Sequence, residues 1–208
     1  MTIARRAGAQ VVEHPFDGFL ATRRFALGQV RTEWTFMLDA DERLDPVLRA
    51  MLLEAEPGPE VDGYRISRRT WFAGRPMSGC GWGDEPLLRI FRTDRAVLVP
   101  NPTSGGDAEL HERWFVPGAV RALGGRLEHE SYRSIGDYFA RFDRYTTIEA
   151  RGLRATPAAL ARRAVMVPVR ALWLLGPKGG WRDGWRGAFV AVFSALYPLA
   201  ATLKALRT

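Results

Sequence analysis

The chain has 208 residues, of which 47% are hydrophobic and 11% aromatic, and it carries a net charge of +7. This composition excludes a disordered protein, and the lone Cys80 excludes both an internal disulfide and a cysteine zinc cluster. Because no block of basic residues and no nucleic-acid motif occurs, the charge fits a sugar nucleotide or an anionic membrane better than nucleic acid.

The first part of the chain alternates between helical and extended patterns. Its predicted elements are the end of a helix over 2–9, a strand over 10–13, a helix over 16–30, a buried strand over 36–38 and a helix over 47–54. Gly8 is expected to close the first helix. Pro46 opens the helix after the strand, at a position where its missing N–H is harmless.

The second part begins after the break at Pro57-Gly58-Pro59. Its predicted elements are a strand over 61–67, a long loop over 71–86, a strand over 87–92, a loop or lid over 100–108, a strand over 125–129 and a helix over 135–153. Strands that alternate with helices predict an α/β fold built on a sheet.

Two carboxylates follow directly on the apolar run 36–38. Asp39 and Asp41 are expected to point the same way, because alternate residues of a strand share a face. Convergent carboxylates suit Mg²⁺ or Mn²⁺ bridging the phosphates of a nucleotide. The alternative is a solvated acidic turn, with Asp41 or Asp45 capping the following helix.

A series of short motifs occurs in unbroken order over residues 1–150. They are Gly8-Ala-Gln-Val-Val-Glu-His-Pro-Phe-Asp-Gly-Phe19, Arg24-Phe-Ala-Leu27, Leu38-Asp-Ala-Asp-Glu-Arg43, Asp62-Gly-Tyr-Arg65, Leu88-Arg-Ile-Phe-Arg92, His111-Glu112, His129-Glu-Ser-Tyr-Arg-Ser134 and Arg144-Tyr-Thr-Thr147. In this order they resemble glycosyltransferase family 2, most closely the branch that acts in lipopolysaccharide core synthesis. The resemblance implies a GT-A fold, which is a Rossmann-like mixed sheet flanked by helices. It also implies inverting transfer of a sugar from a nucleotide-sugar donor to an acceptor hydroxyl.

The resemblance also implies a metal site. Asp39 and Asp41 match the residues that hold Mg²⁺ or Mn²⁺ on the donor diphosphate. His111 lies where many GT-A enzymes supply a further metal or phosphate ligand. The alternative for His111 is an exposed side chain in a polar loop.

A general base must take the proton of the acceptor hydroxyl. In the family an acidic pair precedes an arginine-bearing strand, and Asp84 and Glu85 occupy that place. Asp84 is the preferred base, Glu85 follows closely, and Glu112 is a further choice. The alternative for the pair is a loop cap or a surface salt bridge.

The same strand offers cations for the donor phosphates. Arg89 and Arg92 cannot share a face of a straight strand, so one is expected to contact phosphate and the other to be solvated or ion-paired. Three tryptophans flank the predicted cleft, where an aromatic face suits a sugar ring, although packing is the default role of this residue. They are Trp71, Trp82 and Trp114.

The family begins with two strands that bind the nucleotide base and ribose, and this sequence shows neither. Residues 1–6 match the helix that follows them in the family. We therefore expect Met1 to be an internal methionine or the chain to be truncated, with weak or absent transfer by residues 1–208 alone. The alternative function is a non-catalytic GT-A-fold module docked at the membrane.

The composition changes at Pro157. Residues 158–175 are apolar with interspersed arginines, and 187–203 are almost wholly apolar. We predict a GT-A-like domain over 1–155 and a helical membrane-associating region over 156–208. Helix 187–203 is expected to lie in or dip into the cytoplasmic leaflet of a bacterial inner membrane, near a lipid-linked saccharide acceptor. The alternatives are a true membrane span and a soluble packed helix.

Overall fold

The structure is a computed structural model that describes residues 2–54, 56–100 and 112–207. Its elements in chain order are α1 (Thr2–Arg6), α2 (Phe19–Gln29), β1 (Trp34–Phe36), β2 (Glu42–Leu44), α3 (Pro46–Glu54), β3 (Val61–Phe72), β4 (Arg75–Pro76), β5 (Asp84–Arg92), β6 (Val97–Pro100), β7 (Glu112–Phe115), β8 (Ala119–Tyr132), α4 (Ile135–Gly152), α5 (Pro157–Leu175), a 3₁₀ helix (Gly180–Asp183) and α6 (Trp185–Ala205).

One mixed sheet organises the fold. Its strand order is β1-β5-β3-β8-β2, with β4 added to β3, and β6 and β7 form a separate pair. The long central strands β3 and β8 run parallel, whereas β1, β2, β4 and β5 pair antiparallel with their neighbours. Helices flank the sheet and an apolar helix ends the chain. The predicted fold class, a mixed α/β sheet of GT-A type with an apolar helical C-terminal region, is confirmed.

The sheet is curled. β1 and β2 lie at opposite ends of the strand order, yet only residues 37–41 connect them. A flat sheet of this width is about 19 Å across, a distance that such a segment covers only when fully extended. Residues 39–42 instead form a tight turn, in which the Glu42 N–H donates to the Asp39 carbonyl. The two edges must therefore approach one another, with the acidic turn between them.

Three apolar clusters fix the surroundings of this turn. One packs α3 on the sheet through Leu48, Ile66 and Leu127. A second lies around Phe91 and Trp114, on the side of α2. The third joins the far end of β3 to the C-terminal helices, and its buried members are Phe72, Met77, Cys80, Tyr138, Leu174, Val190 and Ala191. Burial raises the pKa of the Cys80 thiol to about 11, so it stays protonated and serves packing.

Three predicted elements differ from the structure. The strand predicted over 36–38 is β1, which ends at Phe36. Residues 10–13 form no strand, because they are largely exposed and pair with no strand among the described residues. Residues 71–86 are not one long loop. β3 continues to Phe72, turns through Ala73 and Gly74, both with positive φ, and pairs with β4. Such a two-residue turn matches the twist of a hairpin.

The C-terminal helices contact the sheet domain through specific polar bonds. The Asp183 carboxylate accepts from the Ser78 and Gly79 backbone N–H groups and from the Ser78 hydroxyl. Arg186 donates to the Ala73 carbonyl at 2.8 Å. The break between α4 and α5 coincides with the predicted boundary at 155/156, and the division into two units remains a prediction. By length and composition α6 is the one described helix that is able to cross a membrane.

Candidate functional site

The acidic turn is fixed by its own hydrogen bonds. The Asp39 N–H donates to Glu42 Oε2 at 3.0 Å, and the Glu42 N–H donates to the Asp39 carbonyl at 3.0 Å. The Glu130 N–H donates to the Asp41 carbonyl at 2.9 Å, which ties the turn to β8. Because β1 ends at Phe36, Asp39 and Asp41 lie in a turn and not on a strand, and strand alternation does not decide where they point.

Asp39 faces a buried arginine. The Arg89 guanidinium donates to Asp39 Oδ2 at 3.0 Å and to Glu42 Oε1 at 2.5 Å, and Arg23 lies 3.5 Å from Asp39 Oδ1. Burial raises the pKa of Asp39, but the Arg89 and Arg23 charges outweigh it, so the net pKa lies below its usual range. Burial also raises the pKa of Glu42, and Arg89 offsets only part of this. The Glu42 carboxylate and the Arg89 guanidinium are thus paired where water hardly reaches them.

Asp41 faces a histidine. Its Oδ2 lies 3.3 Å from His129 Nε2 and 3.8 Å from the Arg141 guanidinium. The other ring nitrogen of His129 lies 2.7 Å from the Ser131 hydroxyl. Burial and the Arg68 charge lower the pKa of His129, and Asp41 opposes them only in part. The imidazole is therefore neutral at pH 7 and orients Asp41 by a hydrogen bond.

A cleft of about 440 Å³ adjoins the turn. This volume is within the range of small-molecule sites. Its lining residues are Arg68, Thr70, Gly81, Trp82, Glu85, His129, Ser131 and Tyr132. His129 lines the cleft and also contacts Asp41, so the cleft and the acidic turn form one site.

An ionic chain joins the cleft to the turn. Arg68 donates to Glu85 Oε2 at 2.5 Å, and its other terminal nitrogen lies 3.9 Å from Glu42 Oε1. Glu42 in turn is bound by Arg89, which also binds Asp39. Alternating charges therefore run without a break from Glu85 in the cleft to Asp39 in the turn.

The structure separates the two predicted base residues. Asp84 and Glu85 are neighbours on β5, so their side chains lie on opposite faces. Asp84 accepts from Arg126 Nε at 2.7 Å and is not among the cleft residues, whereas Glu85 lines the cleft. The structure thus brings Glu85, and not the preferred Asp84, to the site.

The two predicted arginines have different surroundings. Arg89 is buried, with 5% of its side chain exposed, and its guanidinium binds Asp39 and Glu42. Arg92 donates to the Val61 carbonyl and to Glu33 and stacks over the Trp34 ring. Both predicted arginines are therefore ion-paired, and the contact of one of them with phosphate stays a prediction.

Two predicted residues fall at the edge of what is described. His111 lies outside the described residues. Glu112 is placed by its backbone, which pairs with Pro100 in the β6–β7 ribbon. Their proposed roles as metal ligand and base therefore stay predictions.

Of the predicted aromatic residues, Trp82 alone lines the cleft. It stacks on Tyr132 with ring centroids 5.1 Å apart. Trp71 donates its indole N–H to Glu128, and Trp114 packs against Phe91 in the core. The stacked pair is the only aromatic platform within the described cleft.

Sequence reasoning missed the linking residues Glu42 and Arg68. In the sequence Glu42 is simply the last residue of an acidic run, and its neighbours give no sign that it is buried. Arg68 carried a usable signal. Alternation along β3 places Arg68 on the face of Thr70, and both line the cleft.

The turn offers two partly exposed carboxylates as possible ligands of a divalent cation. About a third of each side chain, 29% for Asp39 and 31% for Asp41, is exposed. The described residues contain no group of three or more His, Cys, Asp or Glu side chains able to enclose a metal ion. Two carboxylates fit Mg²⁺ or Mn²⁺ that also binds substrate phosphates, and they do not fit a closed protein site.

The neutral state of His129 predicts an acid-sensitive fold. Its folded-state pKa is below the unfolded value of about 6.5, so the unfolded chain binds more protons between those two values. Its stabilising contribution is complete above pH 6.5 and is lost as the pH falls through this window. We expect His129→Gln to flatten this part of the pH profile, measured by urea unfolding at several pH values. An unchanged slope in the variant would show that His129 does not titrate there.

The chain is similar to the lipopolysaccharide core biosynthesis glycosyltransferase LpsC of Rhizobium meliloti (strain 1021). The two are 26% identical over 194 residues, which cover 91% of this chain and 70% of LpsC. No family model matches the chain. The similarity confirms the resemblance to lipopolysaccharide core glycosyltransferases that the motifs indicated, and it supports an enzyme of glycosyl transfer.

Proposed function

We propose that this chain is a family 2, metal-dependent, inverting glycosyltransferase. It moves a sugar from a nucleotide-sugar donor to a lipid-linked saccharide acceptor, in the lipopolysaccharide core or a similar envelope glycan. The similarity to LpsC supports the reaction class. The observation that carries the proposal is the cleft, in which Glu85 is joined to the acidic turn through Arg68, Glu42 and Arg89. We propose that the transfer takes place at the cytoplasmic face of the inner membrane.

Glu85 is the proposed general base. The acceptor hydroxyl oxygen forms a bond to the anomeric carbon while the bond from that carbon to the donor diphosphate breaks. The hydroxyl proton passes to the Glu85 carboxylate. Arg68 holds this carboxylate at 2.5 Å and fixes its orientation toward the cleft. A single displacement of this kind inverts the anomeric centre and needs no covalent intermediate.

The acidic turn is the proposed site of the donor diphosphate. Asp39 and Asp41 would hold Mg²⁺ or Mn²⁺ there. When bound, the cation neutralises the charge that develops on the departing nucleotide. The Arg23 guanidinium lies beside Asp39 and adds positive charge on the same side of the turn. The buried Arg89 guanidinium keeps Asp39 ionised and holds it in place.

The stacked Trp82 and Tyr132 rings are the proposed platform for a sugar. Aromatic faces bind the C–H faces of sugar rings by apolar contact. Burial raises the pKa of Tyr132 to about 12, so its hydroxyl remains a neutral donor at working pH. Trp82 and Glu85 line the same cleft, so a sugar on this platform lies near the base.

Thermal unfolding tests this proposal. A panel of sugar nucleotides is screened with and without Mn²⁺ on the wild type and on Asp41→Asn. We expect one donor to raise the melting temperature only with Mn²⁺, because a ligand of the folded state alone stabilises it, and Asp41→Asn to abolish the shift. A wild type that responds to no donor would favour the non-catalytic module. A shift that Asp41→Asn retains would remove the turn from the donor site.

A further inference from the structure

Helix α5 presents an apolar stripe to solvent. α5 packs along one side on α6 and the 3₁₀ helix. The other side shows five exposed apolar residues, here called the α5 stripe: Val165, Met166, Val169, Leu172 and Trp173. Exposure reaches 71% at Val165 and 68% at Leu172. Their spacings of three, four and seven residues place them on one face of the helix.

The whole net charge of the chain lies in the segment that contains this stripe. Residues 157–207 contain eight basic residues and one acidic residue, which gives +7, whereas residues 1–156 contain 22 of each. The single acid, Asp183, is bound to Ser78 and Gly79. The side chains of Arg162 and Arg170 form no hydrogen bond or ion pair with the side chain or backbone of any other described residue. An anionic partner therefore meets uncompensated positive charge.

Aromatic and basic side chains are paired at one end of α5. The Lys178 ammonium lies 4.8 Å from the ring centre of Trp173. Arg182 and Arg186 lie over Trp181 and Trp185 at 5.5 and 4.6 Å. Amphipathic rings beside cations are typical of the headgroup level of a bilayer.

We propose that the α5 stripe binds a bilayer containing anionic phospholipids, with α5 lying in the plane of the headgroups. The basic residues around it would contact lipid phosphates. This moves the expected membrane contact from α6 to α5. In α6, by contrast, Val190, Ala191, Ala195 and Ala201 are buried in the protein, and the exposed large apolar residues are three, Trp185, Val192 and Leu203, against five on α5. The inference deepens the proposed function and rests on it for its purpose, which is access to a lipid-linked acceptor.

Neighbouring cavities connect the α5 stripe with the cleft. A groove of about 520 Å³ between α5 and α6 is lined by Met166, Val169, Trp173 and Arg170. Arg170 also lines an aromatic cavity of about 200 Å³, and Trp82 and Tyr132 line the same cavity. These two rings are the sugar platform of the cleft. Docking through the α5 stripe therefore brings the cleft close to the lipid surface.

Vesicle flotation of the full chain tests the proposal. Vesicles of phosphatidylcholine alone are compared with vesicles that also contain phosphatidylglycerol. We expect the wild type to bind the mixed vesicles, to bind neutral ones far less, and to dissociate as salt is raised. The double variant Val169→Glu, Leu172→Glu should bind the mixed vesicles at least about tenfold more weakly. Arg162→Gln with Arg170→Gln should weaken binding about fivefold per residue.

The matched control is Leu53→Glu, which adds the same charge at an exposed leucine of α3, 80% exposed. It should float as the wild type does. A wild type that ignores anionic vesicles, or a stripe variant that binds them unchanged, overturns the proposal. So does a stripe variant that only dissociates a dimer, because the stripe would then be a protein interface. The metal-dependent donor shift is measured without lipid, so its loss or survival separates failure of the proposed function from failure of this inference.

Discussion

Replacing Glu85 by glutamine is expected to lower kcat/KM for sugar transfer about 10²- to 10⁴-fold, because an amide cannot accept the acceptor proton. The loss should appear in kcat with little change in KM, since the amide retains the size and the hydrogen-bonding oxygen that faces Arg68. About half of the Glu85 side chain is exposed, so folding should be preserved. Initial rates with donor and acceptor varied separately measure both constants.

Asp84→Asn is the matched control for this prediction. Asp84 is adjacent, is also a carboxylate, and is exposed beside Arg126 on the opposite face of β5. Its replacement should leave kcat/KM within a few-fold of the wild type. If Asp84→Asn abolished transfer and Glu85→Gln spared it, the base would have been assigned to the wrong face of the strand.

Replacing Arg89 by methionine is expected to lower the free energy of unfolding by about 3–5 kcal/mol, because it leaves the buried Glu42 carboxylate without its cation. Arg89 and Glu42 are both almost inaccessible to water, and each would cost free energy if left charged alone. Urea unfolding of the wild type and the variant, with linear extrapolation, gives the difference.

Arg43→Met is the control for Arg89→Met. Arg43 pairs with Glu130 at the surface, so its removal should change stability by less than about 1 kcal/mol. The double variant Arg89→Met, Glu42→Gln should recover part of the loss, because the unpaired charge is removed as well. Equal costs for Arg89→Met and Arg43→Met would contradict the account of the buried pair.

Local signals predicted the helices around the site well. Asp45 accepts from the Leu48 N–H at 2.7 Å and caps α3, one of the two caps that the sequence offered. Gly8 has a φ of 81° after α1, as expected of a residue that closes a helix. Both features depend on neighbours within a few residues, and such contacts are legible in sequence.

The conformation of the acidic turn and the partners of its carboxylates could not be predicted from neighbouring residues. The run Phe36–Leu38 looks like a buried strand, yet β1 ends at Phe36 and Leu38 is exposed. The partners that hold the carboxylates come from distant parts of the chain: Arg89 on β5 and His129 on β8. Only the strand pairing of the whole sheet brings these residues to the turn, and no periodicity reveals that pairing.

The choice between Asp84 and Glu85 depends on register. In the sheet, Glu85 lies opposite Arg68 and Asp84 lies opposite Arg69. A shift of one residue would exchange their faces. The predicted loop over 71–86 contains both acids, and a loop does not define which way a side chain points. In the structure β5 already begins at Asp84. The exposure of the α5 stripe could not be predicted either, because it depends on which side of α5 packs against α6.

We propose that the Asp39–Asp41 turn binds a cation together with a diphosphate, next to Glu85. Anomalous diffraction from crystals of the chain soaked with Mn²⁺ and a nucleoside diphosphate tests it directly. We predict a manganese peak about 2–2.5 Å from a carboxylate oxygen of Asp39 or Asp41 and bridging the diphosphate. A diphosphate bound elsewhere, with both carboxylates still paired only to Arg89, Arg23, His129 and Arg141, would contradict the account.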